Sequence, residues 1–230
     1  MLSDSVRLFV GTSGWLYDWN KERTLDWYVR ESGLNAVELN ASFYRFPFPN
    51  QVKHWAYAGK DLKWSVKVNR LITHQYKLGK NCYGTLGKFM NLFKPMESMI
   101  SYYLFQMPPS ITPNILDNAE KLLSEFPIAE KFALEPRSEQ WFNAETYAAM
   151  RKLGITFVST DSPIGSTIER TSENIYMRMH GRKAWYSYRY SEKELAEMRN
   201  RIAALKPRSA FVFFNNDHNM LGNARTMLGL

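Results

Sequence analysis

Eight short strand-like runs alternate with helix-like runs along almost the whole chain, and this alternation constrains the fold more than any other feature. The strand-like runs cover residues 6–11, 35–40, 63–69, 102–107, 131–136, 155–160, 175–182 and 210–216. Strands that alternate with helices build parallel sheets, because a parallel connection has to cross back over the sheet. Eight such units in 230 residues predict a compact (β/α)8 barrel, with residues 1–230 as a single domain. A doubly wound open sheet is the main alternative, but it seldom needs eight strands in so short a chain.

Signals for helix starts and stops mark the segments between these runs. Helices are expected at residues 24–32, 50–59, 86–93, 112–126, 143–154 and 191–205, with a short helix near the end of the chain. Asn50 is the expected N-cap of the second helix, while Ser191 and Glu194 form a capping box for the last long one. Residues 161–174 lack helical spacing, so the sixth connection is expected to depart from the repeat.

Net charge indicates the kind of ligand that the chain favours, and cysteine content limits the disulfides and metal sites that it can form. The net charge is +8, and the stretch from Lys60 to Lys94 is strongly basic. A basic balance favours polyanions or phosphorylated ligands, although this stretch is equally consistent with a solvated flank. Cys82 is the only cysteine, which excludes an internal disulfide and a cysteine zinc site.

The sequence predicts a cytoplasmic protein with no membrane partner. No apolar run approaches the ~20 residues that a membrane-spanning helix needs. The first residues show no basic segment followed by a small-residue cleavage site, so no secretory signal is expected. A lone cysteine is also typical of a reducing compartment.

Polar side chains gather at the C-terminal ends of the predicted strands, where barrels of this type carry their chemistry. They are Glu38, Asn40, Lys67, Asn69, Gln106, Glu135, Arg137, Asp161, Arg178, His180, Asn215, Asn216, Asp217 and His218. Their apolar alternates, such as Met177 and Met179 in the seventh strand, are expected to face the helices, so the polar residues face the barrel interior. The alternative is that these residues form ion pairs that merely fill the mouth of the barrel, but such an inert plug needs only a few charged groups. A functional pocket is therefore the favoured interpretation of this larger set.

The motifs along the chain resemble those of one family. "VGTSGW", "ELNASFYRFP", "SVKVNRLITH", "FQMPPS", "LEPRSEQW", "TDSP", "YMRMHGR" and "FFNNDH" occur in the order seen in the YecE-like family, catalogued as domain of unknown function 72. The resemblance runs from Val10 to the end of the chain. It implies a (β/α)8 barrel and supplies no established reaction. Trp15, Tyr17 and Trp19 match the first motif, but the "FYP" that usually follows is absent, so the first loop departs from the pattern.

The polar set suggests roles for a pocket that handles protons and binds an anion. Glu38, Glu135 and His180 are the candidate catalytic residues, because a partly desolvated site shifts carboxylate and imidazole pKa values. The candidate substrate-binding residues are Asn40, Lys67, Asn69, Gln106, Arg137, Asp161, Arg178, Arg182, Asn215, Asn216 and Asp217. Arginines suit phosphate or carboxylate because they donate two parallel hydrogen bonds. Lys67 would act as an anion ligand or as a Schiff-base lysine, and the former is favoured because an unperturbed lysine is protonated.

The sequence requires no cofactor, and a divalent metal stays open. Suitable ligand types are present in His180, Glu38, Glu135, Asp161, Asp217 and His218, yet no tight ligand spacing supports a metal site. The chain has no Walker A loop and no HExxH, GxSxG or catalytic-cysteine motif.

Aromatic side chains in or near the loops on the same face are a second indication of a ligand site. They are Trp15, Tyr17, Trp19, Phe43, Tyr44, Trp141, Trp185 and Tyr186. About half are expected to belong to the core, and the rest would stack sugar rings or bases.

Two functions of different classes follow from these patterns. The favoured one is a barrel enzyme that acts by acid/base chemistry on a small anionic ligand, carbohydrate-like or phosphorylated. The alternative is a protein that binds or processes nucleic acid, which rests on the net charge, the basic stretch and the loop aromatics. A non-catalytic sensor of small molecules would share the same pocket.

Overall fold

Nine strands and eight α-helices make up the described part of the chain, residues 6–229, in this computed structural model. The strands are β1 (Arg7–Thr12), β2 (Ala36–Leu39), β3 (Lys63–Lys67), β4 (Ile100–Gln106), β5 (Phe132–Glu135), β6 (Thr156–Ser162), β7 (Gly165–Thr167), β8 (Asn174–Met179) and β9 (Ser209–Phe214). The helices are α1 (Leu25–Glu31), α2 (Ala41–Tyr44), α3 (Pro49–Ala58), α4 (Tyr83–Phe93), α5 (Leu116–Glu125), α6 (Ala144–Leu153), α7 (Glu192–Ala204) and α8 (Met220–Gly229).

The order of the strands shows that the sheet curls on itself. Neighbours follow the order β1, β9, β8, β6, β5, β4, β3, β2, with every pair along this path parallel. The first strand pairs with the last one and also lies beside β2. An open doubly wound sheet does not bring its first strand between the second and the last. The fold is therefore the predicted (β/α)8 barrel.

Side chains rather than a backbone ladder join β1 to β2. The amide of Asn35 donates to the Leu8 carbonyl (3.0 Å) and accepts from the Val10 amide (2.7 Å), as a neighbouring strand would. The Tyr28 hydroxyl, from α1, donates to the Ala36 carbonyl in β2 (2.8 Å) and accepts from the last amide of β1 (3.2 Å). Buried backbone groups need partners, and these two side chains supply them where the barrel closes.

A hairpin replaces the helix between β6 and β8, as the helix-poor stretch 161–174 predicted. β7 turns back and pairs antiparallel with β6, with Thr160 opposite Thr167. The chain then runs irregularly to β8, which lies parallel to β6. The turn at Gly165 has φ +139°, a conformation that favours glycine.

The core has two layers separated by the sheet. Outside the barrel, strand residues such as Met177 and Met179 pack against the helices in one continuous apolar cluster. Inside, residues drawn only from strands fill the interior, and they include Tyr102, Tyr176 and Phe211. Tyr102 packs edge-on to both other rings, at centroid distances of 5.2 and 5.1 Å. The alternation predicted for the seventh barrel strand is thus confirmed.

The local assignments differ from the expectation in a few places. Asn50 is not the N-cap of α3, because Pro49 supplies a preset φ for the first turn and Phe48 precedes it as the cap. The side chain that bonds to a backbone amide at the start of this helix is Gln51, which accepts a hydrogen bond from the Phe48 amide (2.9 Å), and not Asn50. The predicted loop after β3 contains a π-helical turn at Leu71–Gln75. No helix within residues 6–229 has the length and apolar character needed to cross a membrane.

Replacing Gly11 by alanine is expected to lower the free energy of unfolding by roughly 1–3 kcal/mol. A Cβ at Gly11 would lie 2.3 Å from the Ala36 carbonyl oxygen, which is backbone at the closing seam and has no room to retreat. Gly84 in α4 is the matched control, since a Cβ there meets nothing within 4 Å and alanine favours helices. Urea unfolding measures both variants, and equal midpoints would contradict the close approach of β1 and β2.

Candidate functional site

A buried arginine joins two carboxylates that come from opposite sides of the barrel. Arg178 Nη2 lies 2.6 Å from Glu38 Oε1, and Arg178 Nη1 lies 2.7 Å from Glu135 Oε2. All three side chains are almost fully buried. β8 supplies the arginine, while β2 and β5 end with the two glutamates. One guanidinium therefore links three strands across the barrel interior, at the end where the C-termini of the strands lie.

Glu38 accepts hydrogen bonds on both of its oxygens. Ser13 Oγ and Asn40 Nδ2 donate to Oε1 at 2.7 and 3.1 Å, and the Tyr176 hydroxyl donates to Oε2 at 2.6 Å. Burial by itself raises the pKa of this carboxyl, but the charge of Arg178 and the hydrogen bond from Tyr176 outweigh it, and the pKa lies below its ordinary value. Glu38 is consequently ionised at neutral pH.

Glu135 is surrounded in the same way. Gln106 Nε2 donates to Oε2 at 2.8 Å, and Arg137 Nη2 lies 2.7 Å from Oε1. Burial raises the pKa of Glu135, while the charges of Arg137 and Arg178 lower it, and the net result is a pKa well below the ordinary range. For Arg178, burial acts to lower the pKa, but Glu135 and Glu38 together raise it above its ordinary value.

A cavity of about 410 Å³ opens above this cluster at the C-terminal ends of the strands. It is lined by Tyr17, Asn40, Phe43, Tyr44, Lys67, Gln106, Arg137, Arg178, Tyr186, Asn215 and Asp217. Seven of these lining residues were predicted as substrate-binding positions, and the structure brings them together around one space.

Lys67 is a buried cation on the wall of this cavity. It ends β3, is only 7% exposed, and places Nζ 4.2 Å from the centroid of the Phe43 ring. Burial lowers the pKa of Lys67 to about 8, with Arg178 contributing in the same direction while Glu135 and Glu38 partly oppose the shift. A substantial fraction of this amine is therefore unprotonated just above neutral pH.

His180 lies behind the cavity rather than on its wall. Its side chain is fully buried, with Nε2 at 3.4 Å from Glu135 Oε1 and Nδ1 at 3.4 Å from the amide of Asn215. The ring also contacts Trp185 and Tyr186 at centroid distances of 5.5 and 5.7 Å. Burial lowers the pKa of His180 to about 4, so the imidazole is neutral at physiological pH.

Four of the predicted residues bind other parts of the protein instead of lining the cavity. Arg182 was expected to reach into the pocket. It instead forms ion pairs with Asp161 at 3.1 Å and with Glu194 of α7 at 3.2 Å. Asn216 donates to the Tyr188 carbonyl (2.6 Å).

Asn69 is the fourth of these residues, and its side chain hydrogen-bonds to the backbone of two other segments. Its Nδ2 donates to the Ser42 carbonyl (3.0 Å), and its Oδ1 accepts from the Leu71 amide at the start of the π-helical turn (3.1 Å). β3 ends at Lys67, two residues before Asn69, so the strand alternation no longer controls its direction.

The sequence pattern did not reveal several residues that complete the cluster. Ser13 follows β1 and donates to Glu38, and Ser65 in β3 bonds to the Tyr176 hydroxyl at 2.7 Å. Ser65 alternates with the apolar Trp64 and Val66, whereas Ser13 lies beyond the end of β1, and neither serine has a sequence signal that marks it as part of a site. Among the predicted aromatics, Trp15 and Trp141 are core residues.

Metal-binding groups are not assembled in the described residues. Within residues 6–229, no cluster of three or more His, Cys, Asp or Glu side chains has the geometry to hold a metal ion. His218 is exposed and lines a separate surface cavity beside α8.

Comparison with known proteins assigns the chain to a family. The model of the family described as protein of unknown function DUF72 matches residues 9–228. The chain belongs to the DUF72 family. A DUF72 protein from Thermotoga maritima has 28% identity and a TM-score of 0.81, with 97% of this chain and all of that chain covered. A DUF72 protein from Enterococcus faecalis has 19% identity and the same TM-score, covering 96% and 94%.

A more distant match concerns the fold alone. A xylose isomerase domain containing protein from Salmonella typhimurium has 14% identity and a TM-score of 0.57, covering 99% of this chain and 96% of that chain. No curated protein matches the chain significantly. The DUF72 family assignment predicted from the motifs is confirmed.

Replacing Arg178 by methionine is expected to lower the free energy of unfolding by about 3–5 kcal/mol. The change leaves Glu38 and Glu135 as buried charges without their shared partner, and burial then raises their pKa values in the folded state. In the wild type the depressed pKa values of both carboxyls add stability that is lost as the pH falls, so the destabilisation of the variant relative to wild type should shrink in acid.

The control for this variant is Arg208→Met, which breaks an exposed pair with Glu173 at 3.1 Å and should cost about 0–1 kcal/mol. Chemical denaturation at neutral and mildly acidic pH measures both. If Arg178→Met loses no more than the control at neutral pH, the bridging role is refuted.

Proposed function

We propose that the protein is an enzyme whose active site is the cavity at the C-terminal strand ends. It acts by acid/base chemistry on a small anionic molecule, carbohydrate-like or phosphorylated. The observation that carries the proposal is the convergence of Lys67 and Arg137 on one cavity of about 410 Å³. Sites for small molecules typically have volumes of roughly 300–1,000 Å³, so the space suits a single small substrate.

Arg137 has the geometry of an anion clamp. One nitrogen of its guanidinium, Nη2, faces Glu135, and within residues 6–229 no other carboxylate forms an ion pair with it. The Trp185 ring lies 5.6 Å from its central carbon and holds the plane of the group. The remaining guanidinium edge is free to donate to a phosphate or carboxylate oxygen.

Neutral polar groups around the cations suit the hydroxyl groups of a sugar-like molecule. Asn40, Gln106 and Asn215 line the cavity, and the buried Oδ1 of Asn40 has no hydrogen-bond partner within the described residues. That oxygen is closed off from the cavity, so a ligand hydroxyl would reach it only after the Asn40 side chain turns, which would give a costly unpaired acceptor its partner. Tyr44 and Tyr186 at the rim offer ring faces against which a sugar would stack.

Proton transfer is best supported for Lys67. Glu38 and Glu135 were predicted as proton carriers, but both are held ionised by Arg178 and by further donors. His180 is neutral, with a pKa of about 4, and lies outside the cavity lining. In the proposed site these three residues position Arg178 and Asn215, while Lys67, with its pKa of about 8, exchanges protons with the substrate.

Binding and turnover of a panel of sugar phosphates and sugar acids, followed by calorimetry and NMR, test this proposal. The Arg137→Gln variant is expected to weaken binding of the best phosphorylated ligand by roughly ten- to hundredfold, because a hydrogen bond to a charged group contributes about 1.5–3 kcal/mol. Arg189→Gln is the control, since Arg189 is exposed and outside the cavity. Equal affinities in the two variants would rule out the clamp.

Nucleic acid is the second candidate ligand. It is favoured by the net charge of +8 and by the exposed rings of Tyr44 and Tyr186 beside the cavity. The basic stretch is divided, however, because Lys63 and Lys67 occupy opposite ends of β3. Fluorescence anisotropy with single-stranded RNA and DNA at low salt tests this candidate, and binding that falls steeply with salt would favour it.

A further inference from the structure

Among residues 6–229, Lys67 supplies the only primary amine on the wall of the cavity described above. Within residues 6–229 no carboxylate lies at ion-pair distance from its Nζ, because Glu38 and Glu135 both face Arg178 instead. The nearest ring, Phe43, covers one side of the amine at 4.2 Å. Lys67 also lines the cavity, so its side chain is largely buried and still open to a ligand there.

The base of this side chain is held rigidly. Lys67 is the last residue of β3, and its carbonyl accepts a hydrogen bond from Ser42 Oγ at 2.6 Å. Ser42 lies in α2, next to Phe43. The same short helix therefore fixes the backbone of Lys67 and places a ring against its amine, which limits the positions that Nζ can adopt.

The charged groups around Lys67 come from several elements. Glu38 of β2, Glu135 of β5 and Arg178 of β8 act on it from the barrel interior, and Arg137 acts on it from beyond the end of β5. Asp217 lines the same cavity, and His74 lies on the π-helical turn. Burial is the largest influence and lowers the pKa of Lys67 to about 8. At neutral pH such a lysine carries on the order of a hundredfold more free amine than one of ordinary pKa near 10.4.

We propose that Lys67 is a covalent nucleophile that forms an imine with an aldehyde or ketone group of the substrate. This inference rests on the proposed function, gives Lys67 a covalent role in place of proton exchange, and narrows the substrate class to anionic carbonyl compounds. One molecule would place its carbonyl at Lys67 and its anionic group at Arg137, the two cations that converge on the cavity.

The step balances without a co-reactant. The lone pair of the unprotonated Nζ adds to the carbonyl carbon, and the carbonyl oxygen leaves as water with the two hydrogens of the amine. A C=N bond thus replaces the C=O bond. A proton taken up on the imine nitrogen gives an iminium, which withdraws electrons from the adjacent C–H or C–C bond and restores the positive charge that faces Glu38 and Glu135.

Reductive trapping tests the proposal on the full-length protein. Glyceraldehyde 3-phosphate and unphosphorylated glyceraldehyde are the probes, and sodium cyanoborohydride reduces any imine to a stable secondary amine. Each labelled protein should gain the mass of the probe less one oxygen atom, and peptide mapping locates the label. We expect labelling of Lys67 to exceed that of Lys63 by at least about tenfold near neutral pH, given the larger fraction of free amine.

Lys63 is the matched internal control because it lies at the other end of the same strand and is exposed. The fraction of free amine at Lys67, and with it the rate of imine formation, should rise with pH and reach half of its maximum near pH 8. Lys67→Met should lose the selective label and Lys63→Met should keep it. Mapping on the wild-type protein gives the answer even if the Lys67 variant does not fold.

The outcomes separate this inference from the proposed function. Selective labelling by both probes, stronger with the phosphorylated one, supports both. Selective labelling that ignores the phosphate supports the imine and contradicts the anion clamp. No preference for Lys67 over Lys63, at any pH, overturns the imine, and the proposed function stands if sugar phosphates still bind through Arg137.

Discussion

The bridge from Arg178 to Glu38 and Glu135 is the interaction on which the upper half of the barrel depends. A buried guanidinium is costly unless its charge is matched, and here both Nη atoms bond to carboxylates that end strands on different sides of the barrel, while Nε has no partner in the described residues. Shifting any one of β2, β5 or β8 by a residue would turn its charged side chain toward the helices. The bridge therefore fixes the relative register of three strands that are not neighbours of one another.

The same bridge decides which groups are left for chemistry. Because Arg178 occupies both carboxylates, neither can neutralise Lys67, although Lys67 lies on the same wall of polar residues. The amine is then buried near cations, and its pKa falls to about 8. A stabilising interaction thus has a chemical consequence, since matching one buried cation leaves another without a counterion and titrating near neutral pH.

The sequence predicted the barrel and the wall of the cavity because both follow from short-range alternation. Met177 and Met179 on one side of β8, and Tyr176 and Arg178 on the other, need only the period of a strand. The ion-pair partners of these charged side chains could not be predicted in this way, since they depend on which strands lie close together in the fold. Arg182 lies just beyond the end of β8, where alternation no longer applies, and it pairs with Asp161 and Glu194. The pairing of Arg178 with two glutamates that are distant in sequence could not be predicted from the sequence either.

The contrast between the two ends of the barrel interior explains why the site lies where it does. Around Tyr176 the interior is filled by rings and aliphatic side chains from the strands, among them Tyr102 and Phe211. The Tyr176 hydroxyl, bonded to Glu38 and Ser65, is the boundary between that apolar filling and the ionic layer above it. The ionic layer is held in place because the Tyr176 side chain belongs to the packed apolar layer and its hydroxyl bonds directly to Glu38, so the groups that face a ligand rest on a fixed support.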